Sequence, residues 1–262
     1  DRFPSIERDD IVLGCHTPDD GWIDPNAGLW SFRKAATYLG VTYIKAKVTG
    51  INSDNTKIKS LKLDNGDSIL ADFFINTAGP WVTSLAKLTG ADLPVVPMCR
   101  VQHFWKCTHI LEDLPLIKDE SGMFFRPESD GFSGGRPSFD INPGFVNDIY
   151  SGYFANYFED TVWPLIAALV PKFENLRLQR SWAGHYAQNI LDGNMIIGKY
   201  SPYHDNIITA CGFSGHGIMH APAVGRALSE LTLTGRYQSL DLKRMEITRV
   251  HENEPYLEVG IK

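Results

Sequence analysis

The sequence predicts an α/β chain, in the segregated α+β sense. One domain is built from two separated segments, and a β-rich domain is inserted between them. Three observations carry this reading. At Asn206–Leu231 an apolar strand, a glycine turn (Gly212, Gly215, Gly217) and a helix follow one another. The same order recurs at Asp72–Leu88, where Thr77-Ala78-Gly79-Pro80-Trp81 parts a short apolar strand from a helix. Between these junctions, residues 93–185 consist mainly of strand-like runs and turns. The boundaries expected are 22–92 and 186–235 for the segmented domain and 93–185 for the inserted one. Residues 1–20 add a strand to the inserted domain, and 236–262 form a tail.

Taken in order, Asp10–Cys15 reads as a strand after an irregular entry. Asp24 is a plausible N-cap with Pro25 at the first helical position. The helix carries Leu29, Trp30, Phe32, Ala35, Ala36 and Leu39 and stops at Gly40, and Val41–Val48 follows as a strand. Asn65-Gly66 between Lys57–Leu63 and Ser68–Leu70 is a hairpin signal. Asp72–Asn76 is a strand, and Val82–Leu88 is a helix ended by Gly90. Val95–Thr108, Gly122–Arg126, Leu176–His185 and Met195–Gly198 read as strands. Ser129–Gly135 and Asp140–Ile149 read as turns and loop, and Phe158–Leu169 as a helix before Pro171. The last helix is expected from Ala221, with Pro222 in its first turn.

Composition narrows the function classes. The net charge is −6 and the basic residues are scattered, which disfavours a nucleic-acid partner. No apolar run reaches the ~18 residues of a membrane span. Cys15, Cys99, Cys107 and Cys211 form no CxxC pair, and the eight histidines are dispersed. No metal site is expected from such spacing. The glycine turn at 212–217 opens a helix N-terminus, where unpaired backbone N–H groups suit an electron-rich ligand. A purely steric strand-to-helix turn is the other reading of the pattern.

Four blocks in order, DGWIDPNAGLWSFRKAATYLGVTYI, INTAGPWVTSLAKLTG, WAGHYAQNILDGNMIIG and GFSGHGIMHAPAVGRALSEL, resemble the D-amino-acid oxidase and sarcosine/glycine oxidase superfamily of flavoproteins. The resemblance implies a Rossmann-like FAD-binding domain with an inserted antiparallel β-rich substrate domain. That family opens with a βαβ unit whose GxGxxG holds the FAD pyrophosphate. No GxGxxG occurs here, so the FAD domain is expected to be incomplete at its N-terminus and the chain a C-terminal portion. The stretches VWPLIAALVPKFENLRLQ and GRYQSLDLKRMEITR resemble a mitochondrial branch associated with respiratory complex I assembly. This implies a mitochondrial location and complex I assembly intermediates as partners.

The resemblance also implies site residues. Gly215, His216, Gly217, Ile218 and Met219 would meet the flavin ring. Ala78 and Gly79 would pass it by backbone, with Trp81 packing behind. Val48 would meet the adenine. The pattern alone also allows a strand valine at 48 and a core tryptophan at 81. Gly184 stands where the sarcosine branch tethers its flavin through a cysteine, so FAD should be noncovalent. Tyr186 stands where one branch has a carboxylate-binding Arg, and Met219 where another has a Lys. Neither side chain supplies that charge. Arg126, Arg136, Arg180 and His185 are candidate replacements. Arg136, after Gly134-Gly135, is the first to test, although a turn arginine reads the same way. His216 and His220 are candidates for acid–base steps, and Cys211 reads as an inert strand thiol. The activity implied is removal of a hydride from a C–N bond to FAD. One alternative is an oxidase or dehydrogenase of sarcosine, glycine or D-amino acids. The other is a non-catalytic assembly or scaffold protein that keeps the fold.

Overall fold

The computed structural model describes every residue except 1, 8, 55, 110, 112, 139, 140, 200–203 and 260–262. In chain order the main elements are α1 (Pro25–Tyr38), β1 (Val48–Ser53), β2 (Ile58–Leu63), β3 (Ser68–Leu70), β4 (Phe74–Asn76) and α2 (Val82–Lys87). They continue with β5 (Val95–Cys107), β6 (Ile117–Lys118), β7 (Phe124–Glu128), β8 (Gly131–Gly135), α3 (Trp163–Leu169) and β9 (Leu176–Asn189). The chain closes with β10 (Ile196–Lys199), β11 (Ile207–Cys211), α4 (Gly217–Thr234) and α5 (Thr248–His251).

Three sheets result. β1, β2 and β3 form an antiparallel meander, with the expected Asn65-Gly66 turn between its last two strands. A second sheet has the order β10-β11-β4, in which β11 runs parallel to β4 and antiparallel to β10. The third is the five-stranded antiparallel sheet β6-β7-β8-β5-β9. The expected mixture of a parallel element and an antiparallel β-rich middle is therefore present.

β11 is buried at every position, as a central strand packed on both faces should be. Its side chains alternate between two clusters. Ile208 and Ala210 meet Ile197 and α4 through Val224, Leu228 and Leu231. Ile207 and Cys211 meet Ile196, Phe74, Val82 and Ile247. The five-stranded sheet has its own core, centred on Trp105, Phe125 and Phe173, with α3 packed against it. Phe3 and Ile6 also pack there.

Several expectations are corrected. No strand forms over residues 10–15, and Val12 is 97% exposed. Residues 41–47 are irregular too, and the ladder begins only at Val48. A strand is stabilised by its neighbour's hydrogen bonds, and no described strand pairs with either stretch. Ser129–Gly135 is not all turn, because β8 pairs with both β5 and β7. Its glycines permit close sheet packing. A Cβ on Gly134 would lie 2.2 Å from the Phe124 carbonyl oxygen. Phe158–Val162 is a π-helical turn leading into α3. The loop read over Asp140–Ile149 is irregular from 141 onward, Asp140 itself lying outside the described residues. α4 begins at Gly217, so Pro222 is its sixth residue. The helix there forgoes the bond to the Ile218 carbonyl.

α1 forms as expected. The Asp24 carboxylate accepts the backbone N–H groups of Asn26 and Ala27 at 2.8 and 3.0 Å. None of its residues is buried, and Trp30 is 61% exposed.

One buried titratable group predicts a pH effect. His103 is 2% exposed. It meets Ser181 Oγ through Nδ1 at 2.8 Å and packs on Phe158. Burial pulls its pKa from 6.5 to about 4. Below pH 6.5 the unfolded chain takes up a proton that the folded chain refuses. Stability is therefore fully present above that pH and is lost as the pH falls toward 4. The expected loss is about 2–3 kcal/mol. Urea midpoints measured across this window should fall in the parent chain, and the fall should shrink in His103→Gln.

Candidate functional site

The two strand–glycine–helix junctions are neighbours in space. β4 and β11 lie side by side and parallel, with Asn76 opposite Thr209. Both chains therefore leave the same sheet at its carboxyl end, the place where open α/β sheets receive ligands. After β4, Asn76 organises the exit. Its Nδ2 donates to the Val82 carbonyl at 3.2 Å, and its Oδ1 accepts from the Ala78 N–H at 3.2 Å. Thr209 Oγ1 donates to the Asn76 carbonyl at 3.2 Å and ties the two strands together. Gly79 follows at φ +53, and a Cβ there would meet nothing within 4 Å.

After β11 the turn is tight. Gly212, Ser214 and Gly215 have φ of +67, +50 and +108. The positive φ of Ser214 is held from both sides. Its N–H donates to the Ala187 carbonyl at 3.1 Å, and its hydroxyl accepts the Asn189 N–H at 3.1 Å. β9 thus supports the turn directly. His216 is the N-cap residue of α4, but its side chain makes no capping bond, so the first turn keeps free N–H groups. That turn is open to solvent, with Met219 67% exposed and Ile218 56%.

Tyr186 joins the five-stranded sheet to this turn. A Cβ on Gly215 would fall 2.4 Å from its Cε2, so the ring lies directly on the glycine backbone. Burial pushes its phenol up, and Arg100 opposes that shift. Gly184, one strand turn earlier, is exposed and has open space where a Cβ would stand. Trp81 is not a core residue. It is 59% exposed and stacks on Phe145 at 5.2 Å, and Phe145 packs against His185. His185 accepts the Val146 N–H through Nε2 at 2.9 Å.

His216 is 1% exposed and lies edge-on to His220 at 5.2 Å. Burial lowers its pKa, with the Gly193 backbone and Glu258 opposing and His220 reinforcing. A buried neutral imidazole of this kind packs beneath the turn and is not exposed at its mouth. Cys211 is inert, since burial drives its thiol up to about 12.

Other expected residues lie elsewhere. Val48 opens a strand of the three-stranded meander, opposite Leu63. Arg136 does not reach Tyr186. Its Nε donates to the Ser121 carbonyl at 3.0 Å, and its own carbonyl accepts the Tyr157 hydroxyl at 3.0 Å. Arg126 pairs with Glu128, and Arg180 packs over Phe104 and Trp182. The cation at Tyr186 is Arg100, which reading the sequence did not single out. Its guanidinium lies 5.3 Å from the ring centre. The signal for it was a single arginine inside the apolar run VVPMCRV.

Over residues 1–231 the sequence matches the family described as FAD dependent oxidoreductase. The chain belongs to this family. Among its relatives is FAD-dependent oxidoreductase domain-containing protein 1 of Xenopus laevis, 32% identical over 294 residues, covering 99% of this chain and 58% of that protein. Mitochondrial dimethylglycine dehydrogenase of Rattus norvegicus is 26% identical over 89% of this chain and 29% of its own length. Of solved structures, L-proline dehydrogenase from P. horikoshii shares the fold. It has a TM-score of 0.73 and 24% identity, covering 89% of this chain and 61% of that one. The chain therefore spans somewhat over half the length of the FAD-dependent oxidoreductase relative it matches.

The cofactor of this family is FAD, and the residues present fit its flavin end. Gly79 and Gly184 each leave open space where a Cβ would stand, and the glycine turn leads into the free N–H groups of α4. Among the described residues no cluster of His, Cys, Asp and Glu is arranged to hold a metal. No helix among them is long and apolar enough to cross a membrane.

Proposed function

We propose that this chain forms the flavin-ring and substrate side of a FAD-dependent oxidoreductase acting on the C–N bond of a small amine or amino acid. The observation that carries the reading is the pairing of the two glycine junctions at the carboxyl ends of β4 and β11, with Tyr186 laid on Gly215. In this reading the N–H groups of the α4 first turn stabilise negative charge on the flavin pyrimidine edge. Gly215, Gly217, Ile218 and Met219 line that edge, and His216 contributes its backbone there while its buried ring packs beneath. Ala78 and Gly79 border the ring by backbone, and the stacked Trp81–Phe145 pair closes one side. Val48 serves the adenine end. Bound FAD would supply the acceptor for a hydride leaving the substrate carbon. The protein's part is to hold that carbon and exclude water. Gly184 offers no side chain for a covalent tether, so the cofactor is held noncovalently.

The substrate in the name of the dimethylglycine dehydrogenase relative supports a small secondary or tertiary amino acid. A mitochondrial location, and complex I assembly intermediates as partners, belong to the same proposal. They rest on the resemblance of the tail and on the mitochondrial relative.

The test is flavin retention. The chain, alone and joined to the remaining N-terminal part of the Xenopus laevis relative, is mixed with FAD and desalted. Retained flavin absorbance supports the proposal, and bleaching by sarcosine, dimethylglycine or proline without oxygen identifies the substrate. A joined protein that stays colourless overturns it. Retained flavin that no amine bleaches, with capture of respiratory-complex subunits, favours the assembly role.

A further inference from the structure

Residues 144–150 form an irregular strap beside β5 and β9, and three hydrogen bonds pin it. The Gly144 N–H donates to the Pro97 carbonyl of β5 at 2.8 Å. The Val146 N–H donates to His185 Nε2 of β9 at 2.9 Å. The Tyr150 hydroxyl donates to the Ser181 carbonyl of β9 at 3.3 Å. Phe145 lies between the first two anchors. Its ring stacks on Trp81, 5.2 Å away, in the turn that begins at Gly79, and it packs against the His185 ring at 5.1 Å. Phe145 is 45% exposed and Trp81 59%, so the stacked pair is an edge of the molecule and not part of its core.

We propose that His185 is an acid-released latch on this strap: its neutral imidazole holds Phe145 on Trp81, and its protonation lets the centre of the strap swing away from the β4 junction. A backbone N–H can only donate, so Nε2 keeps its lone pair and the ring proton sits on Nδ1. A doubly protonated ring turns a second N–H toward Val146, and two donors then face each other. The outer anchors are untouched. A carbonyl acceptor does not titrate, and a tyrosine hydroxyl keeps its proton near neutral pH. Acid therefore frees the centre while the ends stay fixed. Burial lowers the pKa of His185 from 6.5. The closed strap is thus fully favoured above 6.5 and loses that advantage as the pH falls through the lowered value. Across the ladder His185 faces Cys99, whose thiol burial pushes up, and its same-face neighbours on β9 are Ala183 and Ala187. Arg100, next along β5, alternates to the other face, beside Tyr186. The turn Gly79–Trp81 has no titratable side chain. The charged residue of the strap itself is Asp148, whose carboxylate accepts the Tyr150 N–H at 2.8 Å.

The experiment follows exchange of the Val146 amide in this chain at about pH 7.5 and about pH 5, the range in which histidine changes charge, corrected for the intrinsic rate at each pH. Between 6.5 and the lowered pKa, protection in the parent should fall about tenfold per unit of pH. His185→Gln offers a carbonyl acceptor that does not titrate and should keep its protection at both values. His185→Leu should be as unprotected at the higher pH as the parent is in acid. A general softening in acid, such as that from His103, is shared by the variants and cancels in the comparison. If glutamine does not reach Val146, the leucine variant supplies the same contrast. Parent protection that ignores acid overturns the latch, and so does an equal acid loss in the parent and both variants. That the strap borders the flavin rests on the proposed function, and a second arm tests it. In the FAD-loaded joined protein, flavin fluorescence is quenched with acrylamide, a neutral probe that the new imidazolium charge does not attract. Quenching should rise in acid in the parent and stay constant with pH in either variant. A rise shared by all three, or none in the parent, overturns the gating role. Failure to bind FAD defeats the proposed function, while amide exchange still decides the latch.

Discussion

Replacing Arg249 by methionine is expected to cost the chain about 3–5 kcal/mol of stability, the range for breaking one side of a buried ion pair. Arg249 of α5 and Asp192 of the β9–β10 turn are each 6% exposed. The guanidinium uses all three nitrogens. Nε and Nη2 meet the two carboxylate oxygens of Asp192 at 2.8 and 3.2 Å. Nη2 also donates to the Asn194 and Met195 carbonyls, and Nη1 to those of Met245 and Glu246. Asp192 in turn accepts from Asn189 Nδ2 at 2.7 Å and from the N–H groups of Asn194 and Tyr256, both at 3.0 Å. Methionine fills similar volume and leaves a desolvated carboxylate with neutral donors only. The thermal midpoint should drop by roughly 10 °C. The double variant Arg249→Met with Asp192→Leu should regain a large part of the loss, since a matched apolar pair removes the orphaned charge. A loss below about 1 kcal/mol in the single variant would show the network to be dispensable.

The same network reaches the candidate site. Asn189, which donates to Asp192 and to the Asn194 carbonyl, is the residue whose backbone N–H bonds the Ser214 hydroxyl. The stretch beyond residue 235 is therefore no loose tail. Ile247 is buried among Ile196, Ile207 and Phe74, and the Glu258 N–H donates to the Asp192 carbonyl at 2.9 Å. It braces the turn whose far end carries Ser214 and Gly215. Weakened flavin retention should accompany the stability loss of Arg249→Met at temperatures where the fold persists.

What the sequence made legible was local. Asp24-Pro25, Asn65-Gly66 and the glycines after β4 and β11 act through their own backbone preferences, and each marked its turn correctly. The strands expected at 10–15 and 41–48 failed for the opposite reason. Their apolar residues suit a strand, but a ladder depends on a partner that local pattern does not reveal. β8 was missed because its glycines read as a turn, whereas they admit the neighbouring backbones. Arg136 was favoured over Arg100 because it follows two glycines, a turn-like setting. Arg100 lay hidden in a strand-forming run. Its informative feature was the charge itself, since a lone arginine among buried residues needs a structural or functional reason. Arg249 and Asp192 are 57 residues apart, and nothing local in the sequence pairs them.

Gly215→Ala is the second substitution with a large expected effect, about 2–6 kcal/mol. Two costs add. The residue sits at φ +108, a conformation that costs an L side chain about 1–3 kcal/mol. The new Cβ would also lie 2.4 Å from Tyr186 Cε2 and 2.9 Å from Cζ, and overpacking of this kind costs about 1–3 kcal/mol. The ring has little freedom to retreat, because Arg100 stands over it with its own guanidinium fixed by two carbonyls. Truncating the obstacle in Gly215→Ala with Tyr186→Ala should relieve the overlap but not the backbone strain, recovering roughly half of the loss. Gly79→Ala supplies the contrast. Its φ of +53 is near the left-handed helical region, and its Cβ would enter open space. The stability cost there should be only about 1 kcal/mol. If that space receives the flavin, Gly79→Ala loses FAD while melting close to the parent, whereas Gly215→Ala loses FAD and stability together. Equal retention of FAD by Gly79→Ala and the parent would remove Gly79 from the cofactor site and leave it a turn glycine.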